Sequence, residues 1–421
     1  MVKCFEEARQ YFKSFTFSEE GNTRLFPVDN NAETKIETAE INGTAIPWFI
    51  NEYWTARQRQ AASIHEISYR ACFKAQLPRF FIELLTEQGD TVYDPFSGRG
   101  TTVIEAGLLG RRVISNDINP LSKKLTYPRL AVPSPAEVEA RLEEIPYDES
   151  LKADLDLSMF YHPKTEAEIV SLKRYLDEKK RNGCEDDVDH WIRMVATNRL
   201  TGHSSGFFSV YTLPPNQAVS QESQVKINKK RKQKPGYRDT KKNIMRKTMT
   251  LLKKVSSIQI SLLREAAGTA IFLEKDAART VEIPDESVSL TVTSPPFLDI
   301  VQYSKDNWLR CWFNNLDTRK IEKKITMSRT VDEWSLKMGQ VFAELYRATR
   351  PGGWVAFEVG EVRNGKVRLD DHVIPLGLEA GFRCPGVVVN RQEFTKTANI
   401  WGVNNNLSGT NSNRIVLFNK G

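Results

Sequence analysis

Thr91-Val92-Tyr93-Asp94-Pro95-Phe96-Ser97-Gly98-Arg99-Gly100-Thr101-Thr102 is the stretch that decides the fold. Its first residues are β-branched or aromatic and read as a strand that ends on an acid. Ser97-Gly98-Arg99-Gly100 is a Gly-rich turn, and a helix runs from Thr101 to Leu109 before Gly110 closes it. Arg111-Arg112-Val113-Ile114-Ser115-Asn116-Asp117 then reads as a second strand, again ending on an acid. Strand, helix and strand together make a βαβ unit of about 30 residues, the building block of a parallel sheet. The glycines allow a tight turn and close approach of backbone to a ligand, although the turn has neither the Lys-Ser/Thr ending of a P-loop nor a GxGxxG spacing. Asp117 sits where a carboxylate accepts both ribose hydroxyls of a nucleoside.

Upstream, Leu77-Pro78-Arg79-Phe80-Phe81-Ile82-Glu83-Leu84-Leu85 predicts a helix with proline in its first turn. Residues 1–60 are mixed and polar, with a weak strand-like Ile46-Pro47-Trp48-Phe49-Ile50, and are set apart as an N-terminal segment of unassigned role. Downstream, the next convincing strand is Ala270-Ile271-Phe272-Leu273, which leads to Asp276. One crossover helix cannot fill the interval from Asp117, so residues 121–265 are expected to form an insert. It is helical in pattern over Glu166–Leu176, Gly/Ser-rich at Thr201-Gly202-His203-Ser204-Ser205-Gly206, and basic at its end. Between Lys226 and Lys254 stand thirteen Lys or Arg against one acid, Asp239, a charge run suited to a polyanion.

The second telling stretch is Thr293-Ser294-Pro295-Pro296-Phe297, at the end of the apolar strand Val288–Val292. Two prolines stop the sheet ladder and hold the backbone, because proline lacks an N–H and has a locked φ. They leave rigid carbonyls, a hydroxyl and an aromatic face at a strand's C-terminal edge, where open α/β sheets bind ligands. A helix over Val331–Thr349 and strands at Trp354–Val359, Gly386–Val389 and Arg414–Phe418 resume the α/β rhythm.

The glycine turn and the proline pair together resemble the amino-methylating DNA methyltransferases, Thr-Ser-Pro-Pro-Phe being the form typical of cytosine-N4 enzymes. The resemblance covers residues 61–120 and 266–421. It implies a Rossmann-like α/β fold: a seven-stranded methyltransferase sheet carrying a large, mostly helical insert. It also implies S-adenosyl-L-methionine as cofactor, with Asp94, Phe96, Gly98, Gly100, Thr101 and Thr102 around its methionine part. Asp117 would take the ribose, Asp276 and Ala277 the adenine, Ile118 would be a further cofactor-binding residue, and Lys74 to Ile82 would add a further cofactor segment. Ser294, Pro295, Pro296 and Phe297 would form the catalytic group, the hydroxyl of Ser294 and the carbonyl of Pro295 facing the target amine and Phe297 stacking on a base flipped from the duplex. The motif order, cofactor strand before catalytic strand, resembles the family's alpha arrangement, with residues 121–265 as the target-recognition region.

Double-stranded DNA is the expected partner, gripped at phosphate by Lys229, Lys230, Arg231, Lys232 and Lys234. Gln217, Gln221, Gln224 and Asn216 are candidates for reading base edges. A cognate restriction endonuclease, encoded separately, is a further expected partner. Tyr303, Asn307, Trp308 and Trp312 either line the pocket or pack. A carbon-5 cytosine enzyme is disfavoured, because none of the five cysteines follows a proline. The alternatives are an adenine-N6 enzyme, which normally has an acid or Asn in place of Ser294, and a tRNA guanine-N2 enzyme; a non-enzymatic cofactor-binding subunit is a third. The cysteines are scattered singly with no metal spacing, so no metal is expected. With 40% hydrophobic and 27% charged residues, a net charge of +7 and no apolar stretch of the ~20 residues a bilayer needs, a cytoplasmic protein is expected.

Overall fold

The structure is a computed structural model that describes residues 2, 4–16, 33–54, 61–69, 72–212, 218–296, 306–324, 328, 330–362, 367–391 and 412–421. Its centre is a nine-stranded sheet. In chain order the strands are β1 (Lys35–Ile41), β2 (Thr44–Asn51), β3 (Thr91–Asp94), β4 (Arg112–Asn116), β5 (Ile271–Leu273), β6 (Val288–Thr293), β7 (Thr349–Val359), β8 (Arg383–Arg391) and β9 (Ser412–Asn419). Their order across the sheet is β1-β2-β8-β9-β7-β6-β3-β4-β5. The stretch from β5 to β7 is parallel throughout, and β9 enters antiparallel between β7 and β8.

Seven of these strands, β3 to β9, form the sheet expected from the sequence. The other two extend it: β2 pairs in parallel with β8, and β1 folds back on β2 as an antiparallel hairpin. Residues 35–51 are thus part of the sheet, which corrects the reading of 1–60 as a separate segment. The reason is packing. Trp48 is buried in the core on one face, while Phe49 is buried on the other, next to Phe12 of the helix Phe5–Ser14.

Helices cover both faces. Helices Gln76–Leu85, Thr101–Leu108 and Ser257–Thr269 lie on one side; Val331–Ala348 and Leu369–Glu379 lie on the other, where Phe342 packs on Phe357 and Phe418. Ser257–Thr269 packs tightly on Thr101–Leu108 at Gly107, where an added Cβ would stand 3.1 Å from Leu263 Cδ2. It is therefore the crossover helix into β5, and the expected insert boundary at residue 265 falls inside it. The insert proper consists of the helices from Leu121–Thr126 to Thr240–Leu252. Its own core is centred on Trp191, fully buried, with its indole N–H bonded to Thr248 Oγ1 at 3.0 Å.

The chain runs outward from β3 to β4 and β5, then returns to β6 on the other side of β3. The order reverses there, and such a switch point opens a crevice above the strands' C-terminal ends.

Candidate active site

A cavity of about 340 Å³ occupies that crevice. Of the residues singled out in the sequence, it is lined by Phe96, Gly98, Asp117, Ile118, Asp276, Ala277, Ser294, Pro295 and Pro296. Residues from two distant stretches of chain therefore meet in one space. Asp94, Gly100, Thr101 and Thr102 lie beneath it.

Asp94 is buried under the floor, where its Oδ1 accepts from Thr293 Oγ1 at 2.7 Å and from the Phe96 N–H at 3.1 Å. Burial pushes its carboxyl up to about 7, against the hydrogen bonds of Thr293 and Phe96, which favour the charged form. Thr102 donates to the Val292 carbonyl at 3.0 Å, so the helix after the glycine turn is pinned to the strand that carries Ser294. Gly100 has φ +76°, and a Cβ there would come within 2.3 Å of Thr126. Only glycine fits.

Asp117 stands in the cavity wall. Its Oδ2 accepts from the Gly98 N–H at 2.7 Å and its Oδ1 from the Asn119 N–H at 2.9 Å, while burial raises its carboxyl to about 6. Asn116 escaped the sequence reading, yet its buried amide ties two loops together. It donates to the carbonyls of Pro95 and Lys275 and accepts from the Lys275 N–H. The Ala277 backbone lies beside this link. Asp276 is ion-paired with Lys337 and caps Ala278, so its carboxylate is already engaged on one side.

At the other end of the cavity, the Pro296 carbonyl accepts the indole N–H of Trp334 at 3.0 Å. Ser294 lines the cavity with Glu358 and favours its charged form, and Glu358 Oε1 accepts from Asn413 Nδ2 at 2.8 Å. Burial pushes the Glu358 carboxyl above its usual range. The signal for Glu358 was present as a lone acid closing the apolar strand Trp354–Val359. Phe297 and Tyr303 lie outside the described residues, as do Asn216 and Gln217.

Several expectations are corrected here. The segment Lys74 to Ile82 does not line the cavity; Tyr69, Cys72 and Phe73, just before it, do. Trp308 and Trp312 pack on the insert, their indoles donating to the Val219 carbonyl and to Asp154, and Asn307 is buried against Arg310. Gln224 is buried and bonded to the Tyr211 carbonyl and Asn228, and Gln221 donates to the Asp156 carbonyl, so neither amide is free to read a base. Lys229, Lys230, Arg231, Lys232 and Lys234 are exposed at and after the end of helix Gln221–Arg231, away from the cavity lining. Among the described residues, no group of three or more His, Cys, Asp or Glu converges as a metal site would require, and no helix is long and apolar enough to cross a membrane.

The strand order, the reversal at β3 and the cavity above it define a Rossmann-like α/β fold. Residues 8–127 match a family model described as DNA methylase. That match takes in the N-terminal hairpin, the glycine turn and Asp117, and stops well before Ser294. The chain is 30% identical over 97 residues to the type II methyltransferase M.MvaI of Kocuria varians, a stretch covering 22% of this chain and 20% of that protein. The chain thus spans about a fifth of the curated relative it matches. Among solved structures it resembles a candidate DNA modification methylase from Thermus thermophilus at 21% identity, covering 34% of this chain and 50% of that one with a TM-score of 0.22. It also resembles the rRNA methyltransferase AviRa from Streptomyces viridochromogenes at 12% identity, covering 88% and 94% with a TM-score of 0.35.

Proposed function

We propose that the protein is an S-adenosyl-L-methionine-dependent methyltransferase that modifies the exocyclic N4 amine of a cytosine flipped out of duplex DNA. The observation that carries this reading is the single cavity that joins Gly98 and Asp117 to Ser294, Pro295 and Glu358. The residues fit the cofactor: a glycine turn that admits no side chain at Gly100, a carboxylate at Asp117 in the cavity wall, and the apolar residues Phe96, Ile118 and Ala277. When bound, S-adenosylmethionine supplies an electrophilic methyl group on a sulfonium.

The chain's own residues prepare the amine. A cytosine amine is a poor nucleophile because its lone pair is delocalised into the ring. Ser294 and Glu358 line the same cavity, so the serine hydroxyl can turn its hydrogen toward the carboxylate and offer its oxygen to a hydrogen of the amine. The Pro295 carbonyl, held by the proline pair, is the second acceptor. The Pro296 carbonyl is already taken by Trp334, so the two prolines have different tasks. Such preorganised dipoles supply a large part of catalysis in water-poor sites. As the amine is methylated it must lose a proton, and Ser294 can pass it to Glu358. The raised proton affinity of the buried Glu358 suits it to receive that proton. Phe297 is assigned the stacking role on the flipped base.

Ser294 supports cytosine over adenine, while the family match covers N6 and N4 amines alike. Similarity to a type II methyltransferase supports a place in a restriction-modification system with a separate nuclease. The deciding experiment is methylation of plasmid DNA with labelled S-adenosylmethionine, followed by nucleoside analysis. N4-methylcytosine is the expected product. N6-methyladenine would overturn the choice of base, and label found only in RNA would overturn the choice of nucleic acid.

A further inference from the structure

The exposed cations at 229–234 are not the chain's only concentration of positive charge. Arg199, Lys247 and Arg310 are only 8%, 8% and 6% exposed. Arg199 and Arg310 form no ion pair among the described residues, nor does the exposed Arg246, and the nearest carboxylate to Lys247 is Glu66 at 4.0 Å. Burial and mutual repulsion push Arg199 down to about 10 and Lys247 down to about 8. Gathering cations with so little countercharge is unfavourable unless an anion completes the site.

The geometry around them is built. Arg199 ends the helix Asp187–Arg199, and its guanidinium lies 3.9 Å over the Phe207 ring, spending only its Nε hydrogen, on the Asn198 carbonyl. Among the described residues its two terminal nitrogens have no hydrogen-bond partner. The Gly/Ser turn Thr201–Gly206 wraps the same ring so closely that a Cβ at Gly202 would stand 2.4 Å from it. Arg246 anchors that turn from helix Thr240–Leu252 by donating to the Ser205 carbonyl at 2.9 Å. The cluster also leads to the cavity. Arg310 donates to the Ser68 carbonyl and faces the ring of Tyr69, a lining residue, and the Ser68 N–H bonds to Asn198 beside Arg199.

We infer that Arg199, Arg246, Lys247 and Arg310, with the Thr201–Gly206 turn, form a phosphodiester-binding notch for the DNA strand whose extruded nucleotide enters the cavity. This deepens the proposed function and rests on it for the identity of the strand. The Arg199 guanidinium, whose terminal nitrogens are unspent among the described residues, suits phosphate oxygens, and a notch contiguous with Tyr69 holds the backbone where a flipped nucleotide must leave it. The exposed lysines from 229 to 234 then add a diffuse, more peripheral attraction.

The test is equilibrium binding of the full-length protein to a short DNA duplex across a salt series, with Arg246→Gln and Arg199→Met compared to wild type and a structured RNA of similar length run in parallel. Arg246 is exposed, so its variant tests the site without asking whether a buried change folds. Each variant should weaken duplex binding about five- to tenfold and reduce the slope of log affinity against log salt by about one. Unchanged affinity and slope in both variants would overturn the notch even if the wild type methylates DNA. Losses confined to RNA would overturn it as a DNA site. Failure to methylate any DNA, with the slopes still reduced, would instead remove the assigned reaction and leave the notch standing.

Discussion

Thr293 donates its hydroxyl hydrogen to the Asp94 carboxylate at 2.7 Å, linking the residue before Ser294 to the strand that opens the glycine turn. This buried contact joins the Thr102–Val292 bond and the β3–β6 pairing in holding the two halves of the site in register, and it carries a pH signature. The native state raises the Asp94 carboxyl from an ordinary 3.8 to about 7, chiefly by burial. Between these values the folded protein holds more protons than the unfolded chain, so stability falls as pH rises through the window and levels off above about 7. The loss is at most about 4 kcal/mol. Denaturant titrations across the window should show the decline, and Asp94→Asn should flatten most of it. Asp117, raised to about 6, adds a smaller slope of the same sign in the lower part. Stability that instead increased with pH would sink this account.

Ser294 and Glu358 give the second prediction. Glu358→Gln keeps the shape of the wall and a partner for Asn413, but loses the proton acceptor. Its kcat should fall about 100-fold, within the range for loss of a general base, with the KM for cofactor nearly unchanged. Glu358→Asp should recover part of the rate. Ser294→Ala should cost a similar factor, since it removes one preorganised acceptor. Single-turnover methyl transfer measures both; a Gln variant at full rate would take Glu358 out of the proton path.

Gly100 allows a sharp stability test. Gly100→Ala places a methyl 2.3 Å from Thr126 Cγ2 and Oγ1 at a φ of +76°. Left-handed backbone and overpacking together should cost about 2–4 kcal/mol. Adding Thr126→Ala removes the nearest atoms and leaves Cβ at 2.8 Å, so the double variant should regain part of the clash but none of the backbone term. A thermal-denaturation cycle reads the coupling. Strictly additive losses would mean that the turn moves away from Thr126.

The glycine-turn side of the cavity was legible because its signals are local. A strand-end acid, two glycines and a helix start follow one another within the span Asp94–Thr101, and chain order alone places Asp117 one strand away. Glu358 was not legible as a partner of Ser294, because their meeting depends on β6 lying beside β7. The N-terminal hairpin was obscure for a different reason. β1 is exposed on both faces, so it has no alternation to read, and the burial of Trp48 and Phe49 on opposite faces of β2 depends on β8 being alongside. The polar residues before the basic run suggested base contacts, but composition cannot reveal that Gln224 is spent on the Tyr211 carbonyl.

The hairpin's contribution to the sheet can itself be measured at Trp48. The indole is 4% exposed, packs among the apolar residues on its side of the sheet, and donates to Asp370 Oδ2 at 2.9 Å. Asp370 in turn pairs with Arg368 and Arg414, so the bond reaches from the hairpin across to β9. Trp48→Phe keeps much of the packing and loses the hydrogen bond to a charged group, a cost of about 1.5–3 kcal/mol. Trp48→Ala also empties the space and should cost about 3–5 kcal/mol. If residues 35–51 were an appendage, both variants would unfold at the wild-type midpoint. An integral edge predicts lowered midpoints in this order, with cofactor binding per folded molecule retained, because Trp48 does not line the cavity.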